Sequence, residues 1–185
     1  PLVGSNPRIL ILGSMPGKES LRQRQYYAHP RNAFWRIMGE ICGAGLELPY
    51  EQRCQVLRRA GLALWDSLKH CERSGSLDSD IRQETEVPNE VDEFLRVHPT
   101  IRLVCFNGQK SAKSFERLVW PKLAGADGEA GVKRFITNLT NEANTTNESP
   151  EKTHFRHAGH SEASVLTIKL VILPSTSPAH AGRSL

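Results

Sequence analysis

"RILILGSMPGKES", residues 8–20, decides the fold. Its first six residues form an apolar run of strand length, and the glycine, serine and proline that follow are turn formers. A buried strand that opens into a Gly/Pro turn and then a polar stretch is the unit from which parallel α/β sheets are wound. The same turn invites comparison with phosphate-binding loops. A P-loop has the form G-x-x-x-x-G-K-[ST], in which successive backbone N–H groups curl around a phosphate. Here Gly13 and Gly17 enclose only Ser14, Met15 and Pro16, and Glu19 stands between Lys18 and Ser20. Pro16 removes a donor from the cradle, and Glu19 places a carboxylate where a magnesium-binding hydroxyl belongs. A nucleotide-binding enzyme using residues 13–20 is therefore an alternative reading, behind that of a strand-to-helix turn.

Three further apolar runs read as strands: "LALWD" (62–66), "IRLVCFNG" (101–108) and "LTIKLVILP" (166–174). Helical patterns lie between them at 32–43, 50–61, 88–99 and 108–123, the last with Ala112, Phe115, Leu118 and Val119 on one face. Strand alternating with helix predicts a three-layer αβα fold around a central, mostly parallel four-stranded sheet. Ligands in such sheets bind beyond the carboxyl ends of the strands, which directs attention to the tips "GSMPG", "DS", "NG" and "PSTSPAH".

The 185 residues suit one domain. Residues 124–164 are rich in Gly, Asn, Thr and Ser and read as a polar, flexible surface insertion. His154, His157 and His160 fall inside it and are assigned no metal. Cys42, Cys54, Cys71 and Cys105 form no C-x-x-C pair and no metal-site spacing, and three of them sit in apolar surroundings. No apolar run reaches the length of a membrane helix, and the start of the chain lacks the order of a signal peptide, so an intracellular protein is expected. A net charge of +4 suits a partner that carries phosphates without specifying one.

Beside the first tip lies "YYAHPRNAFWRIMG" (26–39), in which Asn32 is placed to start a helix and Phe34, Trp35, Ile37 and Met38 to fill a core. Taken with "GSMPG", "LALWDSL" (62–68), "CFNG" (105–108) and "LPSTSPAHA" (173–181), this stretch gives the chain its likeness. It resembles the uracil-DNA glycosylase superfamily, and is most similar to the hypoxanthine-DNA glycosylase branch, related to the mismatch-specific uracil/thymine enzymes. The likeness spans nearly the whole chain outside 124–164, with four motifs in order, each at a strand tip.

The resemblance implies an enzyme that turns a damaged nucleotide out of DNA and hydrolyses its N-glycosidic bond, the first step of base excision repair. In the mismatch-specific branch a tip asparagine positions the attacking water, at the place Met15 occupies here, and a thioether cannot do this. The hypoxanthine branch implies Asn32 in that role. Tyr27, or alternatively Tyr26, matches the aromatic residue that stacks on the extruded base. Gly13, Ser14 and Met15 would line the base pocket with Asp66, Ser67 and Asn107. Asp66 either accepts the N1–H of hypoxanthine or caps a turn, and Asn107 either reaches the pocket or turns the chain. Pro16, Gly17 and Lys18, Gly108 and Lys110, and Ser175, Thr176 and Ser177 would hold the DNA backbone. His180 would support the leaving group or plug the gap left by the base. No lysine is matched to a Schiff-base position, so a monofunctional hydrolase is expected. No cofactor is implied. The partner is double- or single-stranded DNA with a deaminated base, no membrane is involved, and the protein is expected to be a monomer, nuclear in a eukaryote and cytoplasmic in a prokaryote. A catalytically silent DNA-binding protein of the same fold remains the alternative of another class.

Overall fold

Alternation along the first strand, β1 (Ile9–Gly13), sorts its side chains to two faces: Leu10 and Leu12 enter one hydrophobic cluster and Ile11 another. Both faces are buried, which explains why the strand reads as continuously apolar. The computed structural model describes residues 1–124, 132–138 and 166–178. After β1 come α1 (Lys18–Gln23), α2 (Phe34–Cys42), α3 (Tyr50–Arg59), β2 (Leu62–Asp66), β3 (Leu68–His70), β4 (Val87–Pro88) and α4 (Val91–Val97). They are followed by β5 (Leu103–Asn107), α5 (Gln109–Leu118), α6 (Trp120–Ala124), β6 (Val132–Asn138) and β7 (Leu166–Leu173).

The four expected strands are present and all parallel, in a sheet of order β2-β1-β5-β7-β6. Helices α4, α5 and α6 cover one face through Phe94, Leu95, Phe115, Val119 and Leu123. Helices α2 and α3 cover the other through Phe34, Trp35, Met38, Cys54 and Leu57. This is the three-layer arrangement the alternation predicts.

Three features depart from the expectation. Val132–Asn138, inside the stretch expected to be an insertion, is a fifth strand paired with β7. The helix expected over 108–123 is divided at Val119, because Pro121 has no N–H to donate to the preceding turn. Residues 68–90, for which no structure was expected beyond the start of a helix, contain a small antiparallel ribbon of β3 and β4.

Register places the site. Gly13 lies beside Asp66, and Asn107 beside Leu173, so the ends of β1, β2, β5 and β7 open at one edge of the sheet.

Candidate active site

Gly13 is where the tips of β1 and β2 meet. A Cβ there would stand 2.5 Å from Asp66 Oδ1 and 3.3 Å from the Tyr27 hydroxyl, so only glycine admits both groups at this distance. Burial pushes the Asp66 carboxyl up to about 7, with the neighbouring Asp78 charge adding to the rise and Arg73 opposing it. A carboxyl poised near neutrality exchanges a proton at working pH and is a recognised mark of a functional cleft.

Tyr27 reaches this point from the loop before α2. Its backbone is left-handed, with φ 53, a conformation a bulky residue adopts only when its surroundings hold it there. Its ring stacks on Phe34 at 3.9 Å between centroids and 21° between planes. Burial, and then the Asp66 charge, raise its phenol, which also hydrogen-bonds Asn107. Tyr26 is used differently: its carbonyl accepts the Trp35 indole N–H at 2.9 Å and its N–H donates to the Tyr50 hydroxyl at 3.0 Å.

Asn32 is half-buried at the entrance to α2. Its Oδ1 accepts the Phe34 N–H at 2.9 Å, an Asx turn that starts the helix. The next residue, Ala33, donates its N–H to the Thr176 carbonyl at 3.0 Å, which ties Asn32 to the last tip. The helix-starting role expected of Asn32 therefore coexists with a location among the strand tips. Its Nδ2 has no partner among the described residues.

Asn107 fastens the last two tips together. Its Nδ2 donates to Thr176 Oγ1 at 2.8 Å, and its Oδ1 accepts the Thr176 N–H at 2.9 Å. Gly108 follows with φ 107, which glycine alone adopts freely, and a Cβ would lie 3.1 Å from Ser175. Ser175 Oγ in turn accepts the Ser177 N–H at 3.3 Å. His180 lies outside the described residues.

Ser67 and Lys110, both expected at the site, are engaged behind it. Ser67 is fully buried, its hydroxyl 2.8 Å from that of Ser111, which itself donates to the carbonyl edge of Leu12 and Gly13 at 2.9 Å. That places Ser67 in the support beneath the tips rather than in their lining. Lys110 is bonded to the carboxylate of Glu86, which also accepts from Ser114 at 2.9 Å and Arg117 at 2.6 Å. Burial works against the Glu86 charge, but these three donors outweigh it and hold its carboxyl below the usual range.

Residues 73–78 were not read as part of the site. Ser14 Oγ donates to Asp78 Oδ1 at 2.5 Å, and Arg73 Nη2 donates to the Pro16 carbonyl. Lys18 donates its N–H to Ser76 Oγ and its ammonium to the Ser74 carbonyl, each at 3.2 Å. "CERSGSLDSD" carries the composition of an ordinary loop, and no spacing signal links it to a tip some 60 residues earlier.

With a sheet of this order and its polar groups gathered at one edge, the family can be stated. The chain belongs to the uracil DNA glycosylase superfamily, whose family model matches residues 1–184, and it is a DNA glycosylase. It is similar to a hypoxanthine DNA glycosylase of Methanosarcina barkeri, 42% identical over 114 residues, covering 61% of this chain and 71% of that protein. It is likewise similar to a hypoxanthine DNA glycosylase of Methanosarcina acetivorans, 37% identical over 150 residues, covering 76% and 90%. A solution NMR structure of a provisionally assigned uracil DNA glycosylase from Methanosarcina acetivorans matches all of this chain and 86% of its own, with 29% identity and a TM-score of 0.65.

Proposed function

We propose that the protein excises hypoxanthine from DNA, with uracil and xanthine as lesser substrates, and leaves an abasic site without cutting the strand. The observation that carries this reading is the meeting of Asp66, Tyr27 and Gly13 within a few ångströms, with Asn32 at the same edge of the sheet. The curated relatives that share the sequence act, by their names, on hypoxanthine.

The extruded base stacks on the face of Tyr27 turned away from Phe34, an interaction worth about 1–3 kcal/mol. Asp66, when ionised, accepts the N1–H of hypoxanthine. As the C1′–N9 bond breaks, its electron pair moves to the base and the sugar becomes oxocarbenium-like. Asn32 holds a water beneath C1′ through Nδ2 or the second lone pair of Oδ1. That water adds to C1′ and loses a proton to solvent, and the departing base anion takes up a proton from solvent. A neutral amide suffices, because the cationic sugar needs an oriented water more than a strong base. Ser175, Thr176, Ser177 and Lys18 hold phosphates on either side of the lesion, Met15 and Ser14 line the pocket, and the protein works as a monomer on duplex or single-stranded DNA.

Excision rates on a panel of oligonucleotides bearing one deoxyinosine, deoxyuridine or deoxyxanthosine test the reading. The fastest release is expected from deoxyinosine, and uracil released tenfold faster than hypoxanthine would overturn the assignment.

A further inference from the structure

The strap of residues 73–78 bonds the first tip at four points: Asp78 to Ser14, Arg73 to Pro16, and Ser74 and Ser76 to Lys18. Met15 stands between the first two of these. Ser14 is 8% exposed and its hydroxyl gives its proton to a carboxylate, a charge-assisted bond roughly twice as strong as a neutral one. Arg73 is equally committed: Nη2 holds the Pro16 carbonyl, and Nη1 is buried with no partner among the described residues. A guanidinium so enclosed is part of a wall, not a solvated surface charge.

We propose that Asp78 and Arg73 are positioning residues of the base pocket: they clamp the Ser14–Pro16 tip from both sides, fixing Met15 and Gly13 against the base. This inference rests on the hypoxanthine reading above.

The test is single-turnover excision from a deoxyinosine duplex by wild type, Ser14→Ala, Asp78→Ala, the double variant and Asp78→Asn. Loss of the clamp lowers the rate about tenfold to a hundredfold in Ser14→Ala and Asp78→Ala, with DNA affinity within twofold of wild type. The double variant is no slower than Asp78→Ala, because both substitutions break one bond. Asp78→Asn, which keeps the acceptor and loses the charge, restores most of the rate. Amide hydrogen exchange at residues 14–18 is followed in the same proteins and is expected to quicken in Asp78→Ala and not in Asp78→Asn. An active wild type with unaffected alanine variants overturns the clamp, as does an Asp78→Asn variant as slow as Asp78→Ala. A wild type inactive on deoxyinosine sinks the substrate reading instead, and tip exchange unchanged in Asp78→Ala then sinks the clamp as well.

Discussion

Asp66 links the chemistry of the pocket to the stability of the fold. Burial beside Gly13 pushes its carboxyl up to about 7 from an ordinary value of 3.8, against the opposing charge of Arg73. Between those values the folded protein keeps a proton that the unfolded chain has released, so stability falls as pH rises from about 4 to about 7. Asp66→Asn is expected to flatten that fall, as read from denaturation midpoints across the window, and to abolish the acid limb of activity. A curve that still declines in the variant would assign the effect to another group. Gly13→Ala forces a methyl against the same carboxyl and should cost about 1–3 kcal/mol in urea unfolding, with a loss of excision. Asn32 and Asp66 were legible in the sequence because each closes a recognisable motif at an element boundary. Arg73 and Asp78 were not: they reach the first tip across 57 and 64 residues, and only the folded chain brings them there.

At the scale of elements, the tips depend on the helices behind them. Trp35 is 1% exposed and packs edge-on to both Phe34 and Tyr50, so Trp35→Ala should cost about 3–5 kcal/mol and loosen the stack that holds Tyr27. Near-ultraviolet circular dichroism and thermal unfolding would show both effects. Gly108→Ala places a side chain at φ 107, where strain of about 1–3 kcal/mol is expected, and pushes the β5 and β7 tips apart. The strands β1, β2, β5 and β7 were readable because each is a predominantly apolar run closed by turn residues, with Thr167 and Lys169 the polar positions of β7. β6 was not, since "VKRFITN" is a short run with β-branched residues inside a long polar stretch whose average composition conceals it. The division between α5 and α6 was present in the sequence as Pro121, overridden by the apolar periodicity on either side.

For the whole molecule, a DNA glycosylase of net charge +4 should release counterions on binding DNA, so its DNA affinity falls linearly on a double-logarithmic salt plot. Lys18 is exposed at the rim of the first tip, and Lys18→Ala should reduce that slope by about one if it holds a phosphate. An unchanged slope would confine Lys18 to its bond with Ser74. The architecture gathers the four strand ends at one edge, with Asn32 joined to the last tip through the Ala33–Thr176 bond. The reading proposed above makes this edge a pocket for a deaminated base, with Asn32 as the water-positioning group. It is tested most directly by single-turnover release of hypoxanthine from a deoxyinosine duplex, read as alkali-labile strand breaks. Wild type should break the strand only after alkali, and Asn32→Ala should be slower by about 10²–10³ with DNA binding retained. Undiminished release by Asn32→Ala would contradict the account.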